Sequence, residues 1–238
     1  MTEWFEEWFG EEYLQLYPHR DAAEADRAVG LIGERIGLEP GWRVLDVACG
    51  AGRHARAFEE ARARCVGLDL SAALLRVAHQ VTTAPLVRAD MRALPIRPRS
   101  MDLTVNLFTS FGYFDRDAEH AAALGEMVST VRRGGWFVID FLNARAVRSR
   151  LVARETRRLG GADAEVERSV SPDGRYVCKR IRTAEGRQFT ERVRLFGVGE
   201  IEAMLAAAGV TVRERYGDYD ASPLLPHSPR TILFGQVG

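Results

Sequence analysis

The chain has 238 residues, of which 46% are apolar and 28% charged, with 33 basic and 33 acidic side chains. That length suits one large domain, or one domain with an insertion, and the apolar share is ordinary for a globular core. No apolar run reaches the roughly 18 residues a membrane helix needs, no signal peptide is recognised, and Cys49, Cys65 and Cys178 are odd in number without metal spacing, so a cytoplasmic location with reduced thiols is expected.

The N-terminal stretch Thr2 to Asp21 is acidic and aromatic, with Trp4, Phe5, Trp8 and Phe9 at four-residue spacing, as on one face of a short helix. It reads either as self-packing core or as a lid over residues 1–20, with Tyr13, Tyr17, His19 or Arg20 reaching inward. A helix is predicted over Asp21 to Gly37, capped by Asp21 and closed by a capping box with Glu24. Arg43 to Ala48 is then a short apolar run with β-branched valines, a buried parallel strand. It ends in Gly50-Ala51-Gly52, where absent Cβ atoms let the backbone bend and touch a ligand.

Helices over Arg53 to Ala63, Ser71 to Val81 and Asp117 to Arg133 alternate with strands at Cys65 to Leu70, Pro85 to Asp90 and Trp136 to Leu142. Gly134-Gly135 reads as the stop of the third of these helices. Such alternation builds a parallel sheet with helices on both faces, and ligands bind such sheets outside the carboxyl ends of the strands. The pattern breaks between Ala144 and Phe196, where antiparallel strands flank Pro172-Asp173-Gly174 and Ala184-Glu185-Gly186. This insertion, residues 144–196, is placed either as a roof over an acceptor pocket or as a homodimer contact. Fourteen of its side chains from Asn143 to Arg194 are basic against seven acidic, which suits a soluble exposed sheet better than a nucleic-acid surface. A Pro-rich connection, Gly217 to Arg230, precedes the final strand, Thr231 to Val237.

Three acids decide the ligand. Asp69 ends its strand nineteen residues after Gly50, where a carboxylate can accept both ribose hydroxyls. Asp90 ends the next strand beside Met91, a pairing suited to an adenine amine and a purine face. Asp46 sits inside the first strand, where a pyrophosphate gains nothing and a cationic group gains a partner. A phosphate-free adenosine with an ammonium tail fits all three.

In "VLDVACGAGRHA" (Val44 to Ala55), "GLDLS" (Gly67 to Ser71), "ADMRALP" (Ala89 to Pro95), "DLTVNLFTSFGYF" (Asp102 to Phe114) and "RRGGWFVIDF" (Arg132 to Phe141), the chain resembles the class I S-adenosylmethionine-dependent methyltransferases. "FGVGEIEAMLAAAGV" (Phe196 to Val210) looks like that family's last helix and sixth strand. The resemblance implies a Rossmann-like, seven-stranded, mostly parallel sheet with its last strand antiparallel, plus the inserted antiparallel meander. It implies S-adenosylmethionine as cofactor and S-adenosylhomocysteine as product. Cofactor contacts are assigned on this basis to Tyr17, Arg20, Asp46, Ala48, Cys49, Gly50, Gly52, Arg53, Asp69, Leu70, Asp90, Met91, Asn106, Leu107 and Phe108.

The segment after the fourth strand lacks the Asn/Asp-Pro-Pro-Tyr/Phe signature of enzymes that methylate the amino groups of DNA bases and glutamine, and the Pro-Cys of cytosine-C5 enzymes. It offers an aromatic pocket, with Tyr13, Ser110, Phe111 and Tyr113 as acceptor-binding candidates and Phe108, Thr109 and Phe114 beside them. A neutral amine acceptor needs no strong base, whereas a hydroxyl does, and the candidates are His19, Tyr113 and His227. No histidine spacing signals a metal, and none is assigned. The expected function is metal-independent methyl transfer to a small-molecule N or O acceptor. The alternatives are an RNA or protein methyltransferase using the basic insertion, an NAD(P)-dependent oxidoreductase, and a non-catalytic S-adenosylmethionine-binding protein.

Overall fold

The computed structural model describes residues 3–17, 22–159 and 161–238. The expected cap Asp21 and the site candidates His19 and Arg20 lie outside the described residues. In chain order the elements are α1 (Trp4–Trp8), α2 (Glu11–Leu16), α3 (Ala22–Ile36), β1 (Arg43–Val47), α4 (Arg53–Glu60), β2 (Arg64–Asp69), α5 (Ala72–Val81), β3 (Leu86–Arg88), β4 (Met101–Asn106), α6 (Asp117–Ser129) and β5 (Val131–Leu142). Then come α7 (Ala144–Arg150), β6 (Arg154–Leu159), β7 (Ala162–Val170), β8 (Tyr176–Thr183), β9 (Gln188–Arg194), α8 (Val198–Ala207), β10 (Val210–Tyr216) and β11 (Arg230–Val237).

Seven strands form one sheet in the order β10-β11-β5-β4-β1-β2-β3. β1 runs parallel to β2 and β4, and β11 runs antiparallel to both β5 and β10. Strand order reverses beside β1, so the crevice between the tips of β1 and β4 is the topological switch point where such sheets bind ligands. Successive β1 residues serve opposite faces. Val44 packs with Ile32, Phe58 and Phe234 on one side, and Leu45 and Val47 pack with Leu124, Phe137 and Ile139 on the other.

Three expectations needed correction. α6 stops at Ser129, not Arg133. Thr130 is wholly buried there, and its hydroxyl bonds the Met127 carbonyl and the Thr104 hydroxyl, each at 2.7 Å. Gly134-Gly135 is consequently a bulge inside β5 instead of a helix stop, and the register against β4 jumps from Val131 to Trp136. A Cβ at Gly135 would lie 2.8 Å from the Asp102 carbonyl, which explains that glycine. The insertion opens with a helix, α7, capped by the Asn143 side chain, before its four strands begin. Finally, the N-terminal segment holds two short helices where one was expected.

The second sheet has the order β6-β7-β8-β9. Its inner face, with Val166 and Ile181, packs on Trp8, Tyr13 and Leu16 of α1 and α2. The aromatic stripe is thereby buried between the inserted sheet and the body of the molecule.

Candidate active site

A cavity of about 1220 Å³ lies between the tips of β1, β2 and β4 and the inner face of the inserted sheet. β1 leaves the sheet through Ala48, Gly50 and Gly52, all with positive φ, so the chain turns tightly at the cavity edge. A Cβ at Gly50 would meet nothing within 4 Å, so the backbone there presents a bare face to the cavity. Gly52 does something else. A Cβ at that position would meet Ala78 at 3.0 Å and Thr82 at 3.1 Å, so it lets α4 approach α5 and does not line the cavity.

Asp69 lines the wall, with one carboxylate oxygen accepting from the Gly50 N–H and the other from the Ser71 N–H, each at 2.8 Å. Burial pushes its carboxyl above the usual range, against the pull of the Ser71, Gly50 and Leu70 N–H groups. Each oxygen keeps a second lone pair for a hydroxyl. Asp90 and Met91 also line the wall. Burial works against the Asp90 carboxylate, but Arg92, bonded to it from Nε, Nη2 and the main chain, outweighs burial and holds it below the ordinary range.

Asp46 departs from its assigned role. It is 1% exposed and lies behind the turn instead of in the wall, because it shares the strand face of Val44. Burial, then the Asp69 charge, raises its carboxyl to about 8, with Arg53 opposing, and its Oδ2 has no hydrogen-bond partner among the described residues. Asn106 is likewise inside: wholly buried, it donates to the Val47 carbonyl at 3.1 Å and ties β4 to β1. Ala48, Cys49, Arg53, Leu70, Leu107 and Phe108 line the cavity as assigned. Burial, then the charges of Asp46 and Asp69, keeps the Cys49 thiol protonated.

After β4 the chain reverses through left-handed Phe108 and Thr109, each with φ 59°. Ser110 and Tyr113 face the cavity, while Phe111 turns into the core among His120, Phe141 and Phe196 and contacts no ligand space. The Tyr113 hydroxyl donates to the Thr109 carbonyl at 2.7 Å, and its ring packs against Trp4 and Phe9. His227 is exposed and outside the wall, because the loop before β11 folds back on itself through Ser228 and Leu225.

Several residues in and behind the wall escape a reading of the sequence. Wholly buried Asp140 accepts from the Phe108 N–H at 2.8 Å, from Arg230 at 2.9 Å and from the Tyr219 hydroxyl, and so fixes the left-handed turn. Glu24, expected to close a capping box, instead bridges Arg230 and Arg53, whose guanidiniums lie over the Phe108 ring at 4.8 and 4.1 Å. From the insertion come Glu155, Arg157, Arg168, Lys179 and Glu191. Lys179 donates to the Tyr17 hydroxyl at 2.5 Å and to Glu191 at 3.2 Å, and Trp8 Nε1 donates to Glu191 at 2.9 Å. A signal for these existed, since Arg168 and Lys179 fall on the apolar face of alternating strands that includes Val166, Val177 and Ile181.

Residues 44–135 match a family model described as a methyltransferase domain. A dTDP-3-amino-3,4,6-trideoxy-alpha-D-glucopyranose N,N-dimethyltransferase of Streptomyces venezuelae is 30% identical over 210 residues, covering 80% of this chain and 84% of that protein. The chain belongs to the S-adenosylmethionine-dependent methyltransferases. Among solved structures, the CcbJ methyltransferase from Streptomyces caelestis superposes with a TM-score of 0.81 at 17% identity, covering 97% of this chain and 98% of that one. The sugar N-methyltransferase KedS8 from Streptoalloteichus sp ATCC 53650 gives 0.70 at 27% identity, covering 96% and 93%.

This methyltransferase is an enzyme by family, which sets aside the dinucleotide oxidoreductase and non-catalytic alternatives. Its site fits the cofactor that the family uses. The bare face at Gly50 accepts close main-chain approach, Asp69 has lone pairs for ribose hydroxyls, and Leu70 and Met91 give an apolar place for adenine. No helix among the described residues is long and apolar enough to cross a membrane.

Proposed function

We propose that this methyltransferase N-methylates the amine of a small amino sugar. The observation that carries the reading is the shared wall: the inserted sheet and α1–α2 line the same cavity as the strand tips. An RNA or protein acceptor asks for a long groove, whereas a single cavity of about 1220 Å³ exceeds the roughly 300–1,000 Å³ of a single-ligand pocket and suits a donor and a small acceptor together. The Streptomyces venezuelae relative, by name an N,N-dimethyltransferase of a dTDP-linked amino sugar, supports the acceptor class.

When bound, S-adenosylmethionine supplies a methyl group already activated by its sulfonium. The protein's task is alignment and exclusion of water. Asp69, Gly50 and Met91 hold the donor, and Tyr13, Tyr17 and Tyr113 give aromatic faces on which a sugar ring and its amine can rest. A neutral amine carries its own lone pair, so transfer requires no proton abstraction, in keeping with a Tyr113 hydroxyl engaged with the Thr109 carbonyl and a His227 that does not line the cavity.

The test is incubation with S-adenosylmethionine and a panel of amino sugars, free and nucleotide-linked, followed by mass spectrometry. The expected product carries one or two added methyl groups on nitrogen. Turnover restricted to hydroxyl or carbon acceptors would overturn the reading.

A further inference from the structure

Lys179 is the single lysine among 33 basic side chains, the rest being arginine. It stands on β8 directly opposite Glu191 on β9 and Arg168 on β7, and all three line the cavity. This polar row runs between two apolar ones, Val177 with Val193 on one side and Ile181 with Phe189 and Val166 on the other. The side chains of Lys179 and Glu191 are each only 20% exposed. Taking two charges that far out of water adds little net stability, so an apolar pair would serve the sheet as well. Arg168 answers to Glu155 at 2.8 Å, which leaves Lys179 and Glu191 to each other.

Part of the pair holds the N-terminal helices. Glu191 Oε1 accepts from Trp8 Nε1 at 2.9 Å, and Lys179 donates to the Tyr17 hydroxyl at 2.5 Å. Hydrogen-bonding capacity remains after these contacts. Lys179 has three N–H donors. Its Nζ lies 3.2 and 3.3 Å from the two oxygens of Glu191. One N–H straddles both, because a carboxylate subtends at Nζ a far smaller angle than two tetrahedral N–H bonds. With a second N–H on Tyr17, the third has no partner among the described residues. On Glu191, Oε2 accepts only the shared Lys179 proton and keeps a lone pair. A donor and an acceptor thus stand side by side in the wall with no net charge between them. Such a pair matches a hydroxyl, which accepts at its oxygen and donates its proton, better than an anion or a cation. Arginine in the same place would present a flat fork instead of diverging N–H bonds.

We propose that Lys179 and Glu191 bind one hydroxyl group of the acceptor, with Nζ donating to its oxygen and Oε2 accepting from its O–H. The inference rests on the amino-sugar reading above and adds a specificity determinant, a hydroxyl required at one ring position. An analogue without it leaves a donor and an acceptor of a partly buried pair unsatisfied, a large loss because both are charged. Together with the tyrosine faces this contact fixes the ring, so its amine keeps one orientation toward the donor.

The experiment measures, by calorimetry at saturating S-adenosylhomocysteine, the affinity of an amino sugar and of each of its monodeoxy derivatives. One deoxy position is expected to weaken binding about tenfold or more, the usual value of a hydrogen bond to a charged group. In Lys179→Met that margin shrinks toward unity while the margins at other positions stay as they are, and Glu191→Gln shrinks the same one. A pair that only latched the N-terminal helices would lower all affinities alike and leave every margin unchanged. The deoxy series in the unmodified enzyme needs no variant to fold. Equal affinities across that series, or a margin that survives both substitutions, overturns the subsite. Aminocyclohexanols set against cyclohexylamine separate it from the amino-sugar reading. If no sugar binds, yet an aminocyclohexanol binds about tenfold better than cyclohexylamine and Lys179→Met removes the difference, the amino-sugar reading fails and the hydroxyl site stands. No binding in either series overturns both.

Discussion

Asp69 is held by two main-chain N–H groups, and its remaining lone pairs are what the cavity sees. Asp69→Ala removes the ribose acceptor and strands the Gly50 N–H together, so affinity for S-adenosylhomocysteine should fall by about 1–3 kcal/mol in calorimetry. Unchanged affinity would take Asp69 out of the site. Gly50→Val faces a left-handed φ of 56° and a Cβ with open space around it. Strain at one turn residue costs about 1–3 kcal/mol, so the variant should fold and fail to bind the donor product. Asp46 makes a pH prediction. Its buried carboxyl keeps a proton up to about pH 8, while the unfolded chain loses it near its ordinary value of 3.8. The stability it confers is therefore complete below that value and is lost as pH rises through about 8. Urea unfolding of Asp46→Asn against the parent should shift in the variant's favour, on the order of a few kcal/mol, between pH 5 and pH 9. A pH-independent difference would mean Asp46 is ionised throughout. Residue types and strand ends located the three acids, but the side from which Asp46 projects depends on which helices cover each face of β1, and that is a tertiary fact.

The element that governs the acceptor end is the turn after β4. Two consecutive left-handed non-glycine residues, Phe108 and Thr109, persist only because Asp140 grips the chain at the Phe108 N–H while its own carbonyl takes the Thr109 N–H at 3.0 Å. Arg230 and Tyr219, brought by β11 and the loop before it, complete the clamp. Asp140→Ala leaves a buried guanidinium without this partner and should cost about 3–5 kcal/mol in urea unfolding. A loss below about 1 kcal/mol would show that the turn is held by other contacts. Little of this was legible beforehand, because Asp140 and Arg230 lie ninety positions apart and are joined only by the antiparallel pairing of β11 with β5. Local patterns fared better where they were local. The glycine turn, the strand ends at β1 to β3 and the Pro172-Asp173-Gly174 hairpin all lie where residue chemistry puts them, whereas α6 and β5 meet at buried Thr130, whose two hydroxyl partners no periodicity reveals.

At the scale of the molecule, order was readable and closure was not. Alternating helices and strands implied the parallel sheet, and the turn-rich stretch implied an insertion, but the net charge of that insertion gave no sign that Arg150, Arg157, Arg168 and Lys179 line the cavity. Closure depends on α1 and α2, helices of five and six residues that are too short to persist alone. They are held on one side by Trp8 and Tyr17 to the Glu191–Lys179 pair of the inserted sheet. On the other side the Phe9 carbonyl accepts from the hydroxyl of Ser71, whose N–H binds Asp69. Occupancy at Asp69 thus reaches the N-terminal helices through one residue and the inserted sheet through two side chains. Adding S-adenosylhomocysteine should slow amide hydrogen exchange in residues 4–16 and 176–194 as well as at the strand tips. In Glu191→Gln, which weakens the link to Lys179, the protection of 176–194 should shrink while that of 46–52 is kept. Protection confined to the strand tips in the parent enzyme would show that the helices pack over the cavity without responding to it.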